Sequence, residues 1–220
     1  MISVIIVSHN YGRFLSKCLT SILSNNVDYL KEIIIVDDSS EDNTFDVSKN
    51  FFQKNSRIKY FKKNFKSLSK STNFGINQAQ AEWVTKIDAD DYVSENFLEN
   101  FSREIIKRKL DFAYGDIIQM YNDKQKTIKQ NYSKKSILKY PLGSGTIFRK
   151  KLWESVNGFN EKLYFQDDFD FWLRVKNNNR FSLGYINQAH YFYRKHGSNM
   201  SNNKIRKNLT KIAVIIKNCL

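Results

Sequence analysis

Two periodicities alternate along the first ninety residues. Ile2-Ser3-Val4-Ile5-Ile6-Val7 is a near-continuous apolar run, the pattern of a strand buried on both faces, and a turn over Ser8-His9-Asn10-Tyr11-Gly12 follows it. Leu15, Cys18, Leu19, Ile22 and Leu23 then recur at helical spacing. The unit repeats. Glu32–Val36 predicts a second strand stopped by Asp37-Asp38-Ser39-Ser40, and Phe45, Phe51 and Phe52 mark a helix preceded by the capping residues Asp42 and Asn43. Arg57–Phe61 reads as a third strand, Ser71–Gln80 as a helix, and Trp83–Ile87 as a fourth strand ending in Asp88-Ala89-Asp90-Asp91. This alternation predicts an α/β protein with a mixed, mainly parallel central sheet flanked by helices, and a ligand crevice beyond the carboxyl ends of the strands.

The second half is less regular. The pattern predicts helices over Ser94–Lys109, Lys150–Val156 and Asp168–Asn177, and strands over Phe112–Tyr121, Thr127–Tyr132, Ser144–Phe148 and Phe181–Ile186. No Gly/Ser-rich linker and no internal repeat separates the halves, so residues 1–200 are expected to form one domain. In the tail 201–220, Ile205, Leu209, Ile212, Ala213 and Ile216 fall at helical spacing among Lys204, Arg206, Lys207, Lys211 and Lys217. That pattern predicts a basic amphipathic helix, which either lies on a membrane or packs on the fold.

Composition narrows the class. With 220 residues, 41% hydrophobic and a single Pro, the chain can bury a real core and is neither disordered nor collagen-like. Cys18 and Cys219 are too far apart in sequence to suggest a zinc site or a disulfide scaffold, which fits a reducing compartment. The opening residues lack the basic start of a signal peptide, and no run of about 18 apolar residues occurs, so a cytoplasmic location is expected. Charge is uneven: residues 1–100 carry 12 Lys and Arg against 13 Asp and Glu, whereas residues 101–220 carry 24 against 9. An anionic partner would therefore meet the second half, whether membrane, lipid phosphate or nucleic acid.

Three acidic groups could carry chemistry. Asp37-Asp38 can accept hydrogen bonds from a nucleotide, or can simply cap the next helix. The three carboxylates of Asp88-Ala89-Asp90-Asp91 repel one another unless a hard divalent ion or water screens them. A helix-loop-helix calcium site would need Gly at its sixth position, where this chain has Val93. Gln166-Asp167-Asp168 opens a helix; its acidity suits the helix dipole, and one carboxylate there could serve as a general base. His196 reads as a solvated loop residue. Gly143-Ser144-Gly145 matches neither a phosphate loop nor a serine-hydrolase elbow.

Taken in order, these pieces resemble the family 2 glycosyltransferases of the GT-A fold. The resemblance is carried by Val4–Tyr11, Ile35–Ser39, Asn73 with Gly75, the Asp88-Ala89-Asp90 triplet, and the block running from Gly143 through Phe148-Arg149-Lys150, Gly158-Phe159 and Asp167-Asp168 to Trp172-Leu173-Arg174; Tyr193-Arg194 with His196 is also similar. Thr72, Ala81 and Gln166-Asp167 depart from the usual pattern. The resemblance implies a nucleotide-sugar half over 1–100 and an acceptor half over 101–200. It also implies roles: Ser8, His9, Asn10, Asp38, Asn73 and Asp88 at the nucleotide, Asp88, Asp90 and His196 at a Mn²⁺ or Mg²⁺ ion, and Asp168 as catalytic base.

The reaction this resemblance implies is inverting transfer from a nucleoside diphosphate sugar, expected to be a UDP-sugar, to a hydroxyl of a glycan or lipid-linked acceptor in surface polysaccharide or glycolipid synthesis. The expected place is the cytoplasmic side of a membrane, with peripheral contact through the basic half and no nucleic-acid partner. Two competitors predict different behaviour. A silent nucleotide-sugar scaffold would bind without turnover, and a nucleic-acid binder would show steep salt dependence without needing Asp88 or Asp90.

Overall fold

The computed structural model describes residues 1–121, 124–130, 141, 143–199, 210–211 and 213–215. Its strands and helices are β1 (Ile2–Ser8), α1 (Gly12–Leu23), β2 (Leu30–Asp38), α2 (Thr44–Phe52), β3 (Ile58–Lys63), α3 (Leu68–Gln78), β4 (Trp83–Asp88), β5 (Tyr92–Val93), α4 (Phe97–Arg108), β6 (Phe112–Tyr121), β7 (Lys124–Ile128), β8 (Ile147–Arg149), α5 (Lys150–Ser155), α6 (Asp167–Lys176) and β9 (Leu183–Arg194). All nine strands join one sheet in the order β3-β2-β1-β4-β8-β6-β9-β5, with β7 hairpinned onto β6. The strands from β3 to β4 are mutually parallel; antiparallel pairs enter with β8. One sheet thus runs through both halves of the chain.

The apolar runs explain the layering. Successive side chains of a strand point to opposite faces. Val4 and Ile6 of β1 with Ile33 and Ile35 of β2 therefore face α1 and α4, where Leu15, Leu19, Ile22, Phe97 and Phe101 are buried. Ile5 and Val7 with Ile34 and Val36 face the other layer, formed by Ile76 of α3, Leu152 and Trp153 of α5, and Phe169, Phe171 and Trp172 of α6. A strand covered on both sides needs apolar residues at every position, which is why these segments show no alternation.

Several boundaries differ from the sequence pattern, for local reasons. The strand expected from Ser144 starts at Ile147, because Gly143–Thr146 is a turn with Gly145 at φ 75°. The strand expected over Phe181–Ile186 continues to Arg194, and its extension pairs with both β6 and β5. The strand expected over Thr127–Tyr132 is Lys124–Ile128; its last two predicted residues lie outside the described ones. Helix α3 begins earlier, at Leu68, because the Ser67 side chain accepts from the Lys70 backbone N–H and caps it.

Of the expected tail helix, residues 210–211 and 213–215 are described and are helical. Val214 is buried in the α6 layer, and Lys211 Nζ lies 5.0 Å from the Phe169 ring centroid. Ala213, predicted on the apolar face, is exposed instead. The described part of the tail therefore packs on the fold. Cys18 is a free, buried thiol, and Cys219 lies outside the described residues. No helix among the described residues is long and apolar enough to cross a membrane.

Chain order reverses beside β1: β2 and β3 lie on one side of it and β4 on the other. Such a switch point leaves the carboxyl ends of two neighbouring parallel strands diverging into a crevice. Here those ends are Ser8 and Asp88.

Candidate active site

A cleft of about 610 Å³ opens at that switch point. It is lined by His9, Asp38, Lys66, Asp88, Asp90, Phe159, Tyr164 and Asp168, among others. Asp88, Asp90 and Asp168, spread over eighty residues of sequence, thus line one cavity.

Asp88 ends β4 and is held on two sides. Lys86 Nζ sits 2.6 Å from its Oδ1, and Ser144 Oγ donates to its Oδ2 at 2.5 Å. Lys86 also donates to Ser144 Oγ at 3.0 Å, closing a triangle. Burial alone would lower the Lys86 pKa, but Asp88 foremost and Asp167 next outweigh it and raise the value, so the ammonium stays charged. The next residue along the loop, Gly143, donates its backbone N–H to Asp168 Oδ2 at 3.3 Å. Two adjacent residues of one turn therefore grip Asp88 and Asp168.

Asp90 faces His196, with Nε2 2.8 Å from Oδ2, and Asn199 Nδ2 donates to the same oxygen at 3.3 Å. Burial and the neighbouring Asp88 charge raise the Asp90 pKa, against the pull of His196. Asp91 points away from the cleft. It is fully buried and accepts Tyr191 O–H at 2.5 Å and Arg194 N–H at 2.8 Å, fastening the β4–β5 turn to β9. Burial, then Asp90 and Asp88, push its pKa well above the usual carboxylate range.

Asp168 and its neighbour Asp167 open α6. Gln166, just before them, adopts φ 62°, and Phe169 N–H donates to Asp168 Oδ1 at 2.8 Å. Burial and the adjacent Asp168 charge push the Asp167 carboxyl up to about 6.

The residues implied for the nucleotide divide into two groups. His9 is exposed at the cleft, and its Nδ1 donates to the Asp38 carbonyl at 2.7 Å, which fixes the ring plane as a stacking surface would require. Asp38 lines the cleft, but its carboxylate is already used: Oδ1 accepts Phe65 and Lys66 N–H at 2.7 and 2.9 Å, and Oδ2 accepts Ser67 N–H and Ser71 O–H, both at 2.9 Å. Four bonds fill a carboxylate, so in this geometry Asp38 shapes the loop before α3 and has no acceptor left for a base.

Ser8, Asn10 and Asn73 do not line the cleft. Ser8 is fully buried, and Asn10, at φ 61°, accepts Glu41 and Asp42 N–H with its side chain, tying two loops together. Asn73 donates to Phe159 O and Glu161 Oε1 and accepts Phe159 N–H and Trp153 Nε1–H, which uses its full capacity. It braces the segment that leads to Asp168.

Lys86, Tyr191 and Asn199 are site residues that the sequence reading did not single out, and Ser144 entered it only within a loop that matched no phosphate or hydrolase motif. Lys86 left a signal, a charged residue inside an otherwise buried strand; Tyr191 and Asn199 left none, because they meet the aspartates from about a hundred positions away. Gly145 matters here too. At φ 75°, an added Cβ would lie 2.5 Å from Cδ2 of Tyr191, the ring whose hydroxyl holds Asp91. Gly145→Ala is therefore expected to cost about 2–3 kcal/mol, seen by thermal denaturation as a Tm lower by about 4–12 °C.

Among the described residues, no three His, Cys, Asp or Glu side chains converge as a self-sufficient metal site. The donor set of Asp88, Asp90 and His196 fits a different kind of centre, in which one or two carboxylates hold Mn²⁺ or Mg²⁺ and phosphate oxygens and water complete the shell.

The fold is that of the GT-A glycosyltransferases. The sequence agrees: residues 3–173 match the glycosyl transferase family 2 model, and the chain belongs to that family. Among its relatives is the hyaluronan synthase of Pasteurella multocida, 25% identical over 93% of this chain; the chain spans about a fifth of that enzyme's length, 21%. Among solved structures, S. aureus TarS in complex with UDP-GlcNAc superposes with TM-score 0.81 at 19% identity, covering 100% of this chain and 67% of that one. The mannosyltransferase PcManGT of Pyrobaculum calidifontis, solved with GDP-Man and Mn²⁺, superposes with TM-score 0.77 at 16% identity, covering 98% and 64%.

Proposed function

We propose that the chain transfers a sugar, with inversion, from a nucleoside diphosphate donor to a hydroxyl of a glycan or lipid-linked acceptor in surface polysaccharide or glycolipid synthesis. The observation that carries this reading is the meeting of Asp88, Asp90 and Asp168 in one cleft at the switch point of the sheet. The relative that makes hyaluronan and the neighbour that binds UDP-GlcNAc support a UDP-sugar as donor and a polysaccharide as product.

His9 would stack on the base, and the diphosphate would lie against Asp88 and Asp90. Asp90 and His196, with Asp88 beside them, would hold Mn²⁺ or Mg²⁺, which when bound stabilises the negative charge growing on the leaving diphosphate. The PcManGT structure, solved with Mn²⁺, supports that ion. Lys86 holds the Asp88 carboxylate in place through the triangle with Ser144. Asp168 would take the proton from the acceptor hydroxyl as it attacks the opposite face of the sugar ring, and a single displacement of that kind inverts the anomeric centre. The basic second half suits an anionic lipid-linked acceptor at the cytoplasmic face of a membrane.

Thermal denaturation with nucleotides tests this reading. A ligand at a hundred times its Kd stabilises by about 2.7 kcal/mol, so UDP with Mn²⁺ is expected to raise Tm by roughly 5–11 °C. Asp90→Ala should remove the part of the rise that needs Mn²⁺. No shift with any nucleoside diphosphate, with or without Mn²⁺, overturns the proposal.

A further inference from the structure

Six large apolar side chains are exposed among the described residues, and of these Tyr164 alone lines the cleft. It is 66% exposed, an unusual state for a ring in a concave site. Its setting is not that of a loose loop tip. Asn73 clamps Phe159 and Glu161 through three hydrogen bonds, and Leu163 N–H donates to Asn160 O at 3.1 Å. Ser69 Oγ donates to Leu163 O at 3.5 Å. Phe165 meets the Tyr164 ring edge-on, with centroids 4.8 Å apart at 79°. The segment then enters α6 through Gln166, whose carbonyl accepts Asp170 N–H at 2.9 Å. Side-chain and backbone bonds on both flanks thus fix a ring whose own face is left open to the cleft.

Position selects the occupant. Asp168 lies four positions after Tyr164, so even a fully extended chain would place their Cα atoms at most about 14 Å apart. Phe159 and Leu163 continue the apolar surface, while Lys66, Gln166 and Asp167 supply polar groups on the same cavity. An apolar ring face bordered by a few hydrogen-bonding groups suits a ligand with one C–H-rich face and a rim of hydroxyls. A pyranose ring has that form.

From this geometry we infer that Tyr164, backed by Phe165, is the stacking platform for a sugar ring of the acceptor. It holds that ring so that a hydroxyl reaches Asp168. The inference deepens the function proposed above and rests on it: the acceptor is recognised as a sugar, through its apolar face, rather than through a lipid or phosphate alone.

Saturation-transfer NMR on the full chain tests it with defined probes, the methyl β-glycosides of glucose, galactose, N-acetylglucosamine and N-acetylgalactosamine, in the presence of UDP and Mn²⁺. At least one glycoside should receive saturation, strongest at the axial ring protons of its apolar face, and the signal should persist when UDP fills the nucleotide side. Tyr164→Ala should weaken that binding about tenfold, the scale of losing one stacking ring, whereas Tyr164→Phe and Tyr164→Trp should keep it. The thermal shift with UDP and Mn²⁺ should be the same in all four proteins. Saturation of no glycoside, or equal saturation in the parent and Tyr164→Ala, overturns the inference while the UDP shift leaves the transferase reading standing. Loss of the UDP shift in the parent overturns that reading instead.

Discussion

Asp168→Asn is expected to lower kcat by roughly two to four orders of magnitude, the usual contribution of a positioned general base. The substitution keeps size and shape but removes the negative charge, the ability to accept a proton and one acceptor oxygen. Its structural side effect is small. Asp168 accepts one backbone N–H on each oxygen, from Phe169 and from Gly143, and an amide can accept only the first or the second. The lost bond should cost about 1 kcal/mol. The decisive readout is the pair of measurements: turnover of UDP-sugar collapses while the Tm rise with UDP and Mn²⁺ remains. Unchanged turnover would remove Asp168 from the mechanism, and an inactive parent that still binds UDP would favour a silent scaffold.

The largest stability effect is expected at Asp38. Its carboxylate collects three backbone N–H groups and one hydroxyl from the segment 65–71, and the residue is 4% exposed. Asp38→Ala would strand three backbone donors at a cost of about 1–3 kcal/mol each, not fully additive, so a loss on the order of 4 kcal/mol and a Tm lower by roughly 8–16 °C are expected. Asp38→Asn, with one oxygen left to accept, should fall between. UDP affinity should drop in step with stability, because the loop carrying Lys66 into the cleft loses its anchor. A carboxylate whose only task were to touch the base would behave differently: affinity would fall and Tm would not.

Asp38 also shows where reading the sequence stops. That an acidic residue ends the second strand is plain from Glu32–Ser40; that four donors from thirty residues downstream converge on it is not, since those donors are mostly backbone. Asn73 is the same case with the opposite outcome. Its place in a family-like pattern implies a nucleotide contact, whereas its amide is consumed by Trp153, Phe159 and Glu161 in the structure. The central strands were legible because burial on both faces requires apolar residues throughout. The aspartate cluster after β4 was legible because its chemistry is written within four residues. Chain ends of elements in the second half were less so: the segment expected to begin a strand at Ser144 turns at Gly145 instead, and β9 outruns its apolar pattern because its last residues, Tyr191 to Arg194, serve Asp91 and the β5 edge.

The turn that joins Ser144 to Asp88 and Gly143 to Asp168 couples the positions of the proposed donor and acceptor carboxylates. On the proposed roles, a chimera that borrowed the segment around Asp168 from a relative should carry residues 143–146 with it, since those residues also hold Asp88.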